Sequence, residues 1–219
     1  SLLGAGAFRP TMTNLCASQK EGDMPAIVKL SDLNLSAPVQ IPFGFTGVEE
    51  KYARAIVRDR IRSQWPEQKR PTQSVYCICL TGTVAVAYPN TFSPVIYIGE
   101  GDAYARLSRH VDWLVPLLMS VPQLGVEIRL LESVRRNNRS LYRHIEADLI
   151  DWFSSDYGAL PWFNRQQESG KKGAYEYKRD ARKLLNTMIG VGAGRRYLWA
   201  IQPTKNNATF DAYSKGTSA

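Results

Sequence analysis

Arg106 and His110 lie four residues apart in Arg106-Leu107-Ser108-Arg109-His110. On a helix that spacing projects both side chains from one face, and Arg109 shares part of it. A guanidinium is charged at every relevant pH and grips phosphate oxygens as a bidentate fork, which makes Arg106 the candidate phosphate clamp. His110, beside it, is read as a catalytic or phosphate-contacting group. Two short apolar runs end in tyrosine motifs, Ser74-Val75-Tyr76 and Tyr97-Ile98-Gly99, with 21 residues from Tyr76 to Tyr97. Farther along, Glu146 sits at the margin of an apolar stripe, where a carboxylate is costly unless it has a partner. One carboxylate completed by phosphate oxygens and water suits Mg²⁺ or Mn²⁺, so Glu146 is the candidate metal ligand. Hydrolysing a phosphodiester needs a positioned water, charge neutralisation at the phosphate and stabilisation of the leaving alkoxide. These residues carry the groups for that chemistry.

The elements that must position them follow from composition and period. Ser74 to Leu80, Val84 to Ala87 and Pro94 to Ile98 are rich in Val, Ile and Tyr, with Gly82 and Pro89-Asn90 as turn residues, and read as antiparallel strands. Asp102 to Leu118 reads as a helix kinked or interrupted at Pro116. Gly125 to Leu131 alternates like a strand. Asn138 to Phe153 is a helix with Leu141, Ile145, Leu149 and Phe153 on one stripe, ended by Gly158 and Pro161. Glu146 shares a side with Tyr142 and Leu149, whereas Asp148 and Asp151 read as solvated and His144 as incidental. Upstream, residues 1–46 read as an irregular arm with room for a strand. Gly47 to Trp65 follows as a helix capped by Thr46 and stopped by Pro66. Arg54, Arg58 and Arg62 form one basic stripe on it, either solvated or phosphate-contacting. Downstream come a second basic helix over Tyr175 to Ile189, a glycine-rich turn and a last strand within Arg196 to Ile201. Gly190-Val191-Gly192-Ala193-Gly194 follows a helix and precedes a strand, the reverse of the order in a phosphate-binding loop. Trp152 and Trp162 read as core residues.

Ser74-Val75-Tyr76, Tyr97-Ile98-Gly99, Arg106 with His110, Glu146 and Pro161-Trp162-Phe163-Asn164 occur in an order that resembles the GIY-YIG nuclease family, over residues 74–164. The resemblance implies an α/β fold of the α+β kind, a small central antiparallel sheet flanked by helices. It implies Tyr76 as the group that activates or orients water, with Tyr97 supporting it. Asn164 would fix the active-site loop or touch the phosphate, and a plain turn-capping asparagine is the alternative. There are departures. Ser74 stands where the motif has Gly. The Tyr97-to-Arg106 spacing is one residue shorter than is common in the family, which turns a helix by about 100° unless Gly101 absorbs it. Glu100 places a negative charge beside the cleft, and Thr81 to Ser93 has room for a substrate-reading insertion.

Charge is unevenly placed along the 219 residues: three Lys/Arg against five Asp/Glu over 1–50, and 25 against 15 over 51–219. The basic body points to a polyanion, DNA by family habit with RNA as the alternative, and the acidic arm is expected to lie away from it. Arg135, Arg136 and Arg139, and Lys171, Lys172, Lys178, Arg179, Arg182 and Lys183, form two clusters that are either phosphate-neutralising or solvated. Three cysteines and two histidines argue against a disulfide framework or a structural zinc site and favour a reducing, cytoplasmic setting. No apolar run approaches the roughly 18 residues of a membrane span. Residues 1–73 are therefore expected to form an arm and basic helix, 74–164 a catalytic core, and 165–219 a basic extension packed on it. The functional expectation is a metal-dependent DNA endonuclease of the restriction or defence type, a homodimer if it cuts both strands of a palindrome. The alternatives are a repair or mobile-element nuclease and an inactive nucleic-acid-binding module of the same fold.

Overall fold

A computed structural model describes residues 25–41, 45, 47–65, 70–121, 124–135, 138, 140–164, 172–191, 196–207 and 210–211. Its centre is β4, Ser74–Thr81, in which every residue is buried. An unbroken run of strand-forming residues with no polar face can only sit inside a sheet covered on both sides. β7 (Val95–Gly101) flanks it on one edge and β8 (Gly125–Ser133) on the other, both antiparallel. Beyond β8 lie β2 (Leu33–Leu35) and β3 (Val39–Ile41), end to end along the same edge and antiparallel to it. The segment read as an irregular arm thus supplies two strands of the central sheet.

Two smaller sheets join segments far apart in the sequence. β1 (Ala26–Val28) pairs in parallel with β9 (Tyr175–Tyr177). β5 (Val84–Ala87) pairs with β6 (Phe92–Ser93), and in parallel with β10 (Trp199–Ile201). The stretch between Thr81 and Ser93 is therefore part of this second sheet. Tyr88 anchors it to the core, donating its hydroxyl to Val95 O at 2.7 Å and accepting from Trp162 N at 3.0 Å. The expected helix over Tyr175 to Ile189 is instead strand β9 followed by α4, Arg179–Ile189. Pairing with β1 holds Tyr175-Glu176-Tyr177 extended, and a helical period begins only after Lys178. With α1 (Glu50–Gln64), α2 (Ala103–Ser120) and α3 (Leu141–Tyr157), the described residues form an α+β fold of four helices and three mainly antiparallel sheets. None of these helices is long and apolar enough to cross a membrane.

Helix boundaries have local causes. α1 starts after Glu49; Thr46 and Pro66, expected as its cap and stop, lie outside the described residues. α2 runs through Pro116 without interruption. Proline removes the N–H that would bond the Asp112 carbonyl, and Arg54 Nη2 from α1 lies 3.4 Å from that oxygen. Arg54 also bonds the Asp112 carboxylate and Glu50. Arg62 pairs with Asp59 and Arg58 lies 3.9 Å from Asp112, both with exposed side chains. α3 begins at Leu141, because Asn138 Oδ1 accepts from Ser140 N at 3.1 Å and holds the entry as a turn. It ends at Gly158, with φ of +82°. Asp148 on this helix, expected to be solvated, is 3% exposed. It accepts from Tyr177 Oη at 2.6 Å and Gly173 N at 2.9 Å, so β9 covers that side of α3.

α4 is fastened to the sheet by one side chain. Arg129 of β8 donates through Nη1 to the carbonyls of Thr187, Met188 and Gly190 at 2.8–3.0 Å, and through Nε to Glu127 at 2.7 Å. A guanidinium thereby satisfies the open carbonyls at a helix C-terminus, where positive charge is favoured. Arg129→Ala is expected to destabilise the fold by about 3 kcal/mol, because it strands several polar groups in a mostly buried site. Urea unfolding followed by circular dichroism reads this as a lower midpoint.

Candidate active site

The β4–β7 register sets Tyr76 opposite Gly99 and Ile78 opposite Tyr97. Tyr76 and Tyr97 are therefore diagonal neighbours on one face, with ring centroids 5.9 Å apart. A Cβ at Gly99 would stand 2.6 Å from Tyr97 Cε1 and 2.8 Å from Tyr76 Oη. Only glycine lets the Tyr76 phenol lie across the neighbouring strand. The strand expected over Pro94 to Ile98 stops short of Gly99, whose steric role appears only when its partner strand is known.

α2 delivers the next groups. Tyr76 Oη is 2.9 Å from His110 Nε2, and the His110 ring meets Tyr97 edge-on at 4.6 Å between centroids. Trp113, which the sequence reading did not single out, donates Nε1–H to His110 Nδ1 at 3.1 Å. It stacks on Phe163 at 4.1 Å with planes 17° apart. The i,i+3 spacing of His110 and Trp113 was the available signal. Burial, reinforced by Arg106 and Arg109, pulls the His110 imidazole down to about 4, so the ring is neutral at physiological pH.

Arg106 Nη1 donates to the Glu100 carbonyl at 2.6 Å and lies 3.2 Å from the Glu100 carboxylate. Among the described residues no hydrogen bond is recorded to its Nε or Nη2, which leaves one edge of the fork for an anion. Between Tyr97 and Arg106 the chain turns at Gly101, whose φ is +102°. Asp102 then caps α2 by accepting from Ala105 N at 2.9 Å. Ser74 donates its hydroxyl to Gly101 O at 2.8 Å and secures the same turn. Burial opposes the charge on Arg106, but Tyr76, Tyr97, Glu100 and Glu146 together hold its pKa above the ordinary value.

Glu146 comes from α3 and is 3% exposed. Its charge acts on both Tyr76 and Arg106, so it belongs to this cluster. Tyr76 is fully buried, and burial, followed by Tyr97, pushes its phenol well above the ordinary tyrosine range, with Arg106 pulling the other way. A neighbouring arginine favours the phenolate, but desolvation outweighs it here. Asn164 lies at the outer edge of β7. Its Oδ1 accepts from Ile98 N at 3.0 Å and its Nδ2 donates to Ile98 O at 2.8 Å, so it pairs like an extra strand residue next to Tyr97. Both amide atoms are thus engaged by backbone, which makes Asn164 a positioning residue.

Among the described residues no three His, Cys, Asp or Glu side chains form a metal-binding group. The donor set is the Glu146 carboxylate, which fits a largely hydrated Mg²⁺ or Mn²⁺ completed by phosphate oxygens and not an ion needing an all-protein cage. His144 lies apart from the cluster, edge-on to Tyr175. Of the two basic clusters, Arg136, Arg139 and Lys171 lie outside the described residues; Lys172 pairs with Asp151, and Arg182 lies over the Trp152 ring. Comparison of the chain with family models, with curated proteins and with solved structures gives no match.

Two outcomes test this geometry. Gly99→Ala is expected to cost about 1–3 kcal/mol through overpacking against two tyrosine rings, measured by thermal or chemical denaturation. His110 titrates near 4 in the fold against 6.5 ordinarily, so the unfolded chain takes up its proton first as pH falls. Its stabilising share is complete above 6.5 and drains away as pH drops towards 4. Melting temperature is expected to decline across that window, and less steeply in His110→Asn.

Proposed function

We propose that this protein is a metal-dependent endonuclease that hydrolyses phosphodiester bonds in DNA, with a site of the GIY-YIG type. One observation carries the reading: Tyr76 from β4, Tyr97 from β7, Arg106 and His110 from α2, and Glu146 from α3 share one contact and charge network. The tyrosine rings pack as part of the core, but packing alone does not favour placing the Glu146 carboxylate and the Arg106 guanidinium beside them. Perturbed titratable groups of this kind cluster where chemistry is done.

On this reading the open edge of Arg106 binds the non-bridging oxygens of the scissile phosphate as a fork. Glu146 would hold Mg²⁺ or Mn²⁺, which when bound neutralises phosphate charge and lowers the pKa of coordinated water. Tyr76, kept protonated by burial, orients the attacking water or the phosphate by hydrogen bonding, and Tyr97 shields it from solvent. The net positive charge of residues 51–219 supplies salt-sensitive attraction for the rest of the backbone. A restriction or defence role in the cytoplasm, with a homodimer cutting two strands, is the setting proposed, ahead of repair or mobile-element cleavage and ahead of RNA as substrate. A second reading, a binding module without catalysis, is favoured by the Glu100 carboxylate already resting on Arg106.

The discriminating experiment incubates the protein with plasmid DNA and with RNA in Mg²⁺ or Mn²⁺, beside Tyr76→Phe, Arg106→Ala and Glu146→Gln. Cleavage by the parent protein, with Arg106→Ala slower by about 10²- to 10³-fold, is the expected result. A parent protein that binds but leaves every substrate intact supports the binding module. Variants that cut as fast as the parent remove the site assignment.

A further inference from the structure

Neutral imidazole carries one proton, and which nitrogen holds it decides whether His110 gives a hydrogen bond to Tyr76 or takes one. The partner on the far side settles this. An indole N–H can only donate, so the Trp113 contact at 3.1 Å requires a lone pair on His110 Nδ1. The proton then resides on Nε2, 2.9 Å from Tyr76 Oη. This tautomer is inferred from its partners, and the partners are firmly placed. Trp113 is stacked on Phe163, and Phe163 N donates to Ile96 O at 2.9 Å on the outer edge of β7. The edge pairing continues through Asn164 to Ile98. The groups facing His110 are Tyr76 from β4, Tyr97 from β7, and Arg106, Arg109 and Trp113 from its own helix.

We infer that Trp113 is a positioning residue that locks His110 in the Nε2–H tautomer, so that His110 donates to the Tyr76 oxygen and does not accept its proton. Resting on the reading of this cluster as the reactive site, the inference divides two mechanisms that the same residues could serve. With the opposite tautomer, His110 would be a base for Tyr76. With the locked one, Tyr76 Oη accepts from the His110 Nε2–H, and the Tyr76 proton is directed away from α2, towards the water or the phosphate it orients. His110 then orients the Tyr76 proton without moving one.

The test needs no substrate for its main arm. Full-length protein labelled with ¹⁵N at histidine reports the protonated ring nitrogen by NMR. The sequence has only His110 and His144, so a His144→Gln sample assigns the signals. Wild-type protein at neutral pH is expected to show His110 protonated on Nε2; a proton on Nδ1 overturns the inference whatever any variant does. Trp113→Phe keeps a ring against Phe163 and removes the N–H. It is expected to admit the second tautomer. An unchanged tautomer in a folded Trp113→Phe protein overturns the lock. In the plasmid assay, the same variant is expected to cut about 5–10-fold more slowly, the effect of one hydrogen bond, at unchanged DNA affinity. A wild-type protein that cuts nothing removes the nuclease reading, and the NMR arm then decides the tautomer by itself.

Discussion

The phenol of Tyr76 lies across a stretch of neighbouring backbone that bears no side chain. That close approach over Gly99 needs the β4–β7 register to be right to the residue, since a slip of one would bring Ile98 opposite Tyr76 and turn the phenol to the other face. Everything else in the cluster is arranged around the resulting position of one oxygen atom. His110 bonds to it, Tyr97 shields it, and the charges of Arg106 and Glu146 reach it from two helices. Two side chains brace the strands around it. Ser74 ties the start of β4 to Gly101, and Asn164 closes the free edge of β7 at Ile98.

Burial sets the electrostatic character of the site. A tyrosine exposed to water beside an arginine would ionise more easily; here desolvation is the larger effect and the phenol stays protonated. The same desolvation keeps His110 neutral, with both nearby arginines adding to it. Arg106 remains charged because tyrosines and carboxylates surround it. The cluster therefore rests with one firm cation, two neutral hydrogen-bonding rings and a buried carboxylate. On the proposed function, that is a receptor for a doubly bonded anion whose arrival changes the balance at Tyr76. Glu100 occupies one nitrogen of Arg106 until then and keeps the guanidinium aimed along the β7 edge.

The strands at residues 26–41, 175–177 and 199–201 are woven into the sheets more than their composition suggests. β2 and β3 extend the central sheet past β8, β1 pairs with β9, and β10 pairs with β5, so segments from both ends of the chain complete sheets begun in the middle. Short strands of three residues have little stability alone; they persist by adding to an edge that already exists. Arg129 plays the corresponding part for α4, and Arg54 fills the hydrogen bond that Pro116 deletes from α2.

Much of this was legible in the sequence because it depends on local pattern. The strand character of Ser74 to Leu80, the stripe of Leu141, Ile145, Leu149 and Phe153, the helical face shared by Arg106 and His110, and the order of the tyrosine motifs all follow from period and residue type. The margin position of Glu146 was also readable, since a helical wheel needs no partner. Long-range pairing was not readable. Tyr175-Glu176-Tyr177 continues a helical period as well as a strand alternation, and only β1, some 150 residues away, decides between them. Asp148 looked solvated until β9 folded over it. Gly99 lay just past the expected strand Pro94 to Ile98, and only β4 shows why no side chain fits there. The acidity of Tyr76 and the tautomer of His110 lie furthest from the sequence. Both are set by burial and by donors from other elements, and those are properties of tertiary packing that no spacing of residues along one strand or helix can encode.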